Sequence, residues 1–207
     1  NGGSVLARQR AMVCVDGLWL GTWARFLAGS RLAPFVPTPP EVCRRLLQLG
    51  RLRAGERVVD LGCGDGRMLV TAVTEFGAAS ATGYELNSSL VRMAREHAST
   101  SASHRRAEPD GSIVVHEADA LQAGADGSLA AADLVTLYLS TQGNAALLPM
   151  LRRTLRPGAR VVSFHWEMPT EVSPSEVVKM PKTGVSLYLY EGVGLTQTSG
   201  RCTVPQR

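Results

Sequence analysis

The stretch VVDLGCGDGRMLV, residues 58–70, constrains the fold of this chain more than any other. An apolar run, Arg57–Leu61, ends in three closely spaced glycines: Gly62, Gly64 and Gly66. Apolar residues then recur at the helical period through Met68–Phe76. The pattern predicts a buried strand that enters a helix through a glycine turn. Such a turn lets a small molecule approach bare main chain and its N–H groups.

Acidic residues around this turn distinguish two classes of ligand. Dinucleotide enzymes place a pyrophosphate at a similar turn. Here Asp60 closes the strand and Asp65 lies inside the turn, and two negative charges in a partly desolvated site would repel a phosphate. S-adenosylmethionine carries a positive sulfonium and a positive ammonium beside one carboxylate, so the acidic turn favours it as the cofactor. An NAD-dependent oxidoreductase is the less favoured alternative.

Two more acidic residues follow the next two predicted strands. Glu85 ends the run Ala81–Tyr84, 19 residues past Gly66, and its carboxylate is suited to bind both ribose hydroxyls. Asp119 follows a third strand, Ile113–His116, and is suited to accept a hydrogen bond from the adenine amine. Each acid alone is equally typical of a helix cap or a loop. Acids at successive strand ends together indicate a cofactor site.

Strands and helices alternate along the rest of the chain. A fourth strand is predicted at Asp133–Leu139, then a helix capped by Asn144 and a fifth strand at Arg160–His165. Segments Ser175–Met180 and Val185–Tyr190 are typical of a terminal hairpin. The pattern predicts an α/β fold, a Rossmann-like seven-stranded mostly parallel sheet with helices on both faces and an antiparallel edge strand. Ligands of such sheets bind at the carboxyl ends of the strands.

A proline-rich strip, PFVPTPPE at residues 34–41, precedes the first strand. Prolines make it stiff. Thr38 and Glu41 have capping-box spacing and Pro39 suits the first helical position, which predicts a helix running to Gly50. A stiff strip at this place can also lie across the cofactor and shape the opening for the acceptor.

Composition predicts one domain with two extensions. A chain of 207 residues with 44% apolar residues can bury one sizeable core. We expect an N-terminal extension at 1–33, the main domain at 34–192 and a C-terminal tail at 193–207. The formal charge is +4, and the arginine clusters within 44–57 and 152–160 are interpreted as solvated faces, which gives no strong nucleic-acid signal.

The four cysteines and the N-terminal segment bear on location. The cysteines are far apart and lack metal-ligand spacing, so they predict free thiols, an intracellular protein and no metal site. Residues 12–27 are apolar but fall short of the ~20 residues of a membrane span, and their Trp and Phe residues make membrane-surface association one alternative. The sequence leaves mitochondrial and cytoplasmic locations open.

The glycine motif VVDLGCGDGR, together with Glu85 and Asp119, resembles class I S-adenosylmethionine-dependent methyltransferases, and this resemblance covers roughly residues 55–190. A narrower resemblance extends upstream and is to the protein-lysine methyltransferases that act on the ATP synthase c-subunit or the adenine nucleotide translocase, and to their prokaryotic relatives. It is carried by the segments APFVPTPPEV, DLGCGDGR, GYELNSSLV and LRPGARVVS. The resemblance implies that Glu85 and Asp119 match the family's ribose and adenine acids. It further implies that Phe35, Pro37 and Thr38 help enclose the cofactor.

The predicted function is methyl transfer from S-adenosylmethionine to a protein lysine amine. After the fourth strand the chain reads Leu-Tyr-Leu-Ser and lacks the Asn-Pro-Pro-Tyr type motif of enzymes that methylate adenine or glutamine amides. Tyr138 is the candidate catalytic residue, because it can orient the amine or pack beside the methyl group. His116 and His165 are interpreted as structural. A small-molecule or RNA acceptor, and a cofactor-binding interaction protein without turnover, remain alternatives.

Overall fold

The computed structural model describes residues 35–103, 111–181 and 183–193. The chain divides into two compact units, Asn1–Val36 and Pro37–Arg207. Of the first unit only Phe35 and Val36 are described. The predicted N-terminal extension, its apolar segment at 12–27 and nearly all of the predicted C-terminal tail lie outside the described residues, so the proposed domain boundaries stay predictions.

Seven strands and five α-helices follow one another in the described part of the second unit. The strands are β1 (Arg57–Leu61), β2 (Ser80–Glu85), β3 (Ser112–Glu117), β4 (Leu134–Leu137), β5 (Arg160–Phe164), β6 (Glu176–Lys179) and β7 (Ser186–Glu191). The helices are α1 (Pro40–Leu49), α2 (Arg67–Phe76), α3 (Ser88–Ser103), α4 (Ser128–Ala131) and α5 (Thr141–Thr154). A 3₁₀ turn covers Ala120–Gln122. The predicted first strand has the observed bounds.

The strands form one sheet in the order β3-β2-β1-β4-β5-β7-β6. β1 to β5 pair in parallel, and β7 is antiparallel to both β5 and β6. The predicted seven-stranded, mostly parallel fold is confirmed, with one correction: the antiparallel strand lies next to the edge, and the edge strand β6 is parallel to β1 to β5. The reason is burial. Leu187 to Tyr190 of β7 are buried, whereas β6 carries Glu176, an exposed Val177 and Lys179, as expected of an edge.

The central strands are covered on both faces. Val58 of β1 belongs to an apolar cluster that includes Leu46 of α1 and Leu69 of α2. Val59 and Leu61 alternate with Val58 and are equally buried. Strands buried on both faces leave only their ends open to a ligand, which directs attention to the carboxyl edge of the sheet.

Two predicted helix caps are wrong. α1 has Pro39 at its N-cap and no side-chain cap, because the Thr38 carbonyl, not its hydroxyl, is the group engaged there. α5 is capped by Ser140, whose hydroxyl oxygen accepts from the Gly143 amide at 3.1 Å. Asn144 lies one turn inside that helix and is fully buried. A local capping pattern could not show that its amide is used by a distant segment.

Candidate active site

The glycine turn between β1 and α2 is shaped by left-handed backbone and by close packing. Gly62, Gly64 and Gly66 have φ of 86°, 55° and 78°. A Cβ on Gly66 would lie 2.9 Å from the Cβ of Ala94 on α3, so the turn can approach that helix only without a side chain. Backbone geometry and packing thus both require glycine at position 66.

The main-chain amides of this turn are already engaged by the protein. The Gly62 and Cys63 amides donate to the Tyr84 carbonyl at 2.9 and 3.0 Å, and the Gly66 amide donates to the Cys63 carbonyl at 2.9 Å. The Gly64 amide donates to Glu85 Oε2 at 3.0 Å. These four N–H groups are engaged within the protein, so they do not offer the phosphate cradle that a dinucleotide needs. The approach of a ligand to this turn stays a prediction.

Glu85 lies at the end of β2, directly beside the glycine turn. Besides the Gly64 contact, its Oε1 accepts from the Asn87 amide at 2.8 Å. Both carboxylate oxygens are fixed by main-chain donors, and each keeps a second lone-pair direction for another donor. A carboxylate held in this way can bind a pair of neighbouring hydroxyl groups.

Asp119 lies after β3, next in line along the sheet edge. Its Oδ1 accepts from the Leu121 amide at 3.0 Å, which caps the 3₁₀ turn. The Ala118 amide donates to the Glu85 carbonyl at 3.0 Å, so the two loops are joined. The loop is anchored further on by Asp126, which accepts from the Tyr84 hydroxyl at 2.8 Å and lies 3.0 Å from His116 Nε2.

Asp60 is the most deeply buried acid of the site. Its Oδ1 accepts from the Thr136 hydroxyl of β4 at 2.6 Å. Burial raises the pKa of Asp60 to about 7, and the neighbouring charges of Glu85 and Asp65 act in the same direction. The Asp60 carboxylate lies at the junction of β1 and β4. A cation near it would favour its ionised form.

Asp65 pairs with Arg67, a residue to which the sequence pattern gave no role. The Arg67 guanidinium contacts both Asp65 oxygens, with Nη2 to Oδ2 at 2.6 Å, and its Nη1 donates to the Thr38 carbonyl at 2.9 Å. Desolvation acts to raise the pKa of Asp65, but hydrogen bonds and charge from Arg67 outweigh it and lower that pKa. Asp65 is thus a neutralised anchor for the proline strip. The one sequence signal for this ion pair was the two-residue spacing between Asp65 and Arg67.

The proline strip is described from Phe35 onward. Pro37 and Thr38 belong to the second unit, and Thr38 is tied to α1 by a Cys43 thiol contact of 3.8 Å to its carbonyl as well as to Arg67. Phe35 belongs to the first unit, so no contact between it and the site is described. The strip beside the glycine turn is therefore held from Thr38 onward.

Tyr138 follows β4, on the other side of β1 from Glu85. Its ring meets the Phe164 ring edge-on, with centroids 4.5 Å apart. Burial raises the pKa of Tyr138 to about 12, so the hydroxyl stays protonated at neutral pH. Phe164, His165 and Trp166 continue the row of rings, and the sequence pattern assigned none of them to the site. The sequence signal that could have identified them is the run of three consecutive ring-bearing residues, Phe164 to Trp166, at the end of β5.

The edge as a whole fits a cationic nucleoside better than a dinucleotide. Asp60 is the last but one residue of β1, Glu85 ends β2 and Asp119 follows β3, while the Gly62, Cys63, Gly64 and Gly66 amides are satisfied internally. No grouping of three or more His, Cys, Asp or Glu able to hold a metal occurs within residues 35–103, 111–181 and 183–193. No helix among the described residues is long and apolar enough to cross a membrane.

Comparison with known proteins identifies the family. Residues 60–176 match the model of the ANTKMT methyltransferase domain. A protein-lysine N-methyltransferase of Saccharolobus islandicus is 36% identical over 162 residues, 76% of this chain and 92% of the relative. The adenine nucleotide translocase lysine N-methyltransferase of Mus musculus is 36% identical over 172 residues, 83% of this chain and 69% of the relative.

A solved structure that is similar to this chain is likewise a methyltransferase. An RNA methyltransferase from Salinibacter ruber, in complex with S-adenosyl-L-homocysteine, is 31% identical with a TM-score of 0.65, and the match covers 75% of this chain and 92% of that one. The predicted cofactor is confirmed, since S-adenosylhomocysteine is the product form of S-adenosylmethionine. The chain belongs to the ANTKMT methyltransferase family and is an S-adenosylmethionine-dependent methyltransferase.

Proposed function

We propose that this enzyme is a protein-lysine N-methyltransferase. The observation that carries the proposal is the aromatic end of the site at Tyr138 and Phe164, which lies past Asp60 and Thr136 on the side of β1 away from Glu85. An amine acceptor must reach the methyl donor as a neutral nucleophile, and apolar surroundings favour loss of its proton. The names of the two lysine-methylating relatives point to the same acceptor.

The residues at the ends of β1 to β3 would hold the cofactor. Glu85 would bind the ribose hydroxyls, Asp119 the adenine amine and Asp60 the cationic amino-acid end. Gly62, Gly64 and Gly66 would leave room for the ligand, and Asp65 would act through Arg67. When bound, S-adenosylmethionine supplies a methyl group already activated by a sulfonium, so the protein needs chiefly to align the acceptor and to exclude water.

The proline strip and Tyr138 would shape the opening for the acceptor. Pro37 and Thr38 would cover the cofactor, with Thr38 held by Arg67. The role of Phe35, which belongs to the other unit, stays a prediction. Tyr138 would line the lysine channel, since its ring packs on Phe164 and its hydroxyl has no hydrogen-bond partner among the described residues. The partner is then a protein that presents a lysine side chain.

An RNA acceptor is the second candidate, because the solved relative from Salinibacter ruber is titled an RNA methyltransferase. Part of the two predicted arginine clusters is not available for it. Four arginines of the two predicted clusters are paired with carboxylates: Arg44 with Glu75, Arg51 with Glu176 and Glu191, Arg156 with Asp133, and Arg160 with Glu56. Paired cations contribute little to a surface that binds phosphates.

The test is transfer of label from S-adenosylmethionine to protein, RNA and metabolite pools. We expect label in protein, recovered as methylated lysine after acid hydrolysis. Glu85→Ala should lose the signal, and Glu117→Ala, on the neighbouring strand and exposed, should keep it. Label in RNA would establish the second candidate. Binding of S-adenosylhomocysteine without transfer to any pool would contradict both and favour a non-catalytic role.

A further inference from the structure

The order of strands leaves one stretch of the carboxyl edge for the acceptor. The residues proposed for the cofactor follow β1, β2 and β3, and β4 and β5 lie on the other side of β1. Leu137 pairs with Ser163, so Tyr138 and Phe164 emerge side by side at the ends of these two strands. With the cofactor placed as proposed, we expect the methyl acceptor to approach from this side.

Four aromatic rings form a continuous row there, which we call the aromatic corner: Tyr138, Phe164, His165 and Trp166. Neighbouring ring centroids are 4.5 Å apart for Tyr138 and Phe164, 6.3 Å for Phe164 and His165, and 4.5 Å for His165 and Trp166. The first and last pairs are edge-to-face. Tyr138, His165 and Trp166 are only partly buried, so each of these three residues keeps part of its surface accessible to solvent, whereas Phe164 is buried.

The backbone at the corner is strained. His165 has φ of 70°, and among the described residues only Arg51 is another non-glycine residue with positive φ. The Trp166 amide donates to the Phe164 carbonyl at 2.8 Å across it. A hydrogen bond from the amide of residue i+2 to the carbonyl of residue i, with a positive φ at the residue between them, defines a γ-turn. Such a turn is rare and persists only where the surrounding structure enforces it.

Asn144 of α5 supplies much of that enforcement. Its fully buried side-chain amide donates to the Trp166 carbonyl at 3.0 Å, to the Glu167 carbonyl at 3.1 Å and to the Ser163 hydroxyl at 3.3 Å. The Ser163 hydroxyl donates in turn to the Trp166 carbonyl at 2.5 Å. Within the part of the chain that the structure describes, the buried Asn144 Oδ1 has no hydrogen-bond partner, a cost that an apolar residue would avoid. The side-chain amide of Asn144 thus stabilises the turn at His165.

We propose that the aromatic corner is the binding site for the alkylammonium group of the acceptor, and that Asn144 is its positioning residue. The inference rests on the proposed lysine acceptor and names the surface that recognises it. Ring faces attract ammonium ions, and methylated ammonium ions equally well, once these are partly desolvated, so the partly buried His165 and Trp166 would receive the lysine as it arrives from water. The amine would then lose its proton beside the buried Phe164, where apolar surroundings favour the neutral form. Burial lowers the pKa of His165, so its ring stays neutral at neutral pH and does not repel the cation.

The test uses a pair of soluble probes of equal shape, choline and its uncharged isostere 3,3-dimethyl-1-butanol. Each is titrated by NMR into the protein saturated with S-adenosylhomocysteine. We expect choline to bind at least about 10-fold more tightly than the isostere, as a cation–π site requires. Trp166→Leu should abolish this selectivity, and Phe76→Leu, which changes an aromatic residue at the end of α2, should not.

Kinetics with the labelled protein pool separate positioning from folding. Asn144→Ala, and the milder Ser163→Ala, should raise the acceptor KM several-fold and reduce choline selectivity while the S-adenosylhomocysteine Kd stays unchanged. Adding His165→Gly should lessen the effect of Asn144→Ala, because glycine adopts positive φ without strain. Equal binding of both probes, or unchanged acceptor KM in Trp166→Leu, would overturn the inference.

The two proposals fail in different ways. Methylated lysine in the protein pool together with an unselective corner would retain the proposed function and refute the aromatic corner. Choline selectivity that depends on Trp166, with label only in RNA, would refute the lysine acceptor and show a cation site that serves another purpose.

Discussion

The two halves of the carboxyl edge are built on different physical principles. At the ends of β1 to β3, carboxylates are fixed by short hydrogen bonds, such as Gly64 to Glu85 at 3.0 Å and Thr136 to Asp60 at 2.6 Å. At the ends of β4 and β5, aromatic rings pack edge-to-face around a strained turn at His165. The polar half suits tight, oriented binding of one small cofactor, and the aromatic half suits a side chain that must arrive, lose water and leave.

The acids of the polar half are not equivalent negative charges. Asp65 is neutralised by Arg67, and burial makes Asp60 a weak acid. The acids therefore differ in role although they are equivalent in sequence. Each acid can be tested by a substitution that changes one property of the polar half and leaves the aromatic half unchanged.

The largest expected effect concerns Glu85. Glu85→Ala removes two charge-assisted hydrogen bonds proposed for the ribose, each worth roughly 1.5 kcal/mol, so the S-adenosylhomocysteine Kd should rise about 100-fold. Calorimetric titration measures it, with Glu117→Ala as the control and circular dichroism to verify folding. A loss of choline binding in Glu85→Ala equal to that of the cofactor would break the distinction between the two halves.

The second effect is on stability. Arg67→Ala leaves the buried Asp65 carboxylate unpaired and frees the Thr38 carbonyl, so the free energy of unfolding should fall by on the order of 3 kcal/mol. Urea denaturation measures it. Arg44→Ala, which breaks a bidentate but exposed pair with Glu75, should change stability little. Similar losses for both variants would refute the special role of Arg67.

A third effect depends on pH. The pKa of Asp60 is raised from 3.8 to about 7 in the folded state, so between these values the folded protein keeps a proton that the unfolded chain has lost. Ionisation of Asp60 therefore lowers stability as pH rises from about 4 to 7. Asp60→Asn should stabilise the cofactor-free protein relative to the parent by on the order of 2 kcal/mol more at pH 8 than at pH 4.

The measurement is urea unfolding of Asp60→Asn and the parent across that pH range, with cofactor affinity followed in parallel. The variant should bind S-adenosylhomocysteine more weakly even where it is more stable. A constant stability difference at all pH values would show that Asp60 ionises normally.

The smallest expected effect is at Tyr138. Tyr138→Phe keeps the edge-to-face contact with Phe164, so methyl transfer should change by no more than about threefold and cofactor affinity not at all. Tyr138→Leu, which loses that contact, should weaken the acceptor step further. Measured transfer rates decide, and complete loss of activity in Tyr138→Phe would show that the hydroxyl orients the amine.

Features that depend on residues close together in the chain could be predicted from the sequence. The first strand, the glycine turn and the positions of Glu85 and Asp119 near strand ends were predictable, because strand periodicity, φ-tolerant glycines and acids after apolar runs are local patterns. The binding roles of these two acids stay predictions. The mostly parallel sheet followed from the alternation of elements. The place of β7 did not, because either strand of the hairpin could pair with β5, and burial of its apolar residues decided.

The hydrogen bonds that join distant segments became known from the folded structure alone. Thr38 was misread as a cap, since its carbonyl is engaged by Arg67, 29 residues away. Asn144 was misread for the same reason, since its amide reaches Trp166 across 22 residues. Hydrogen bonds of buried side chains are chosen by whichever partner the fold brings within about 3 Å, and no local pattern records that partner.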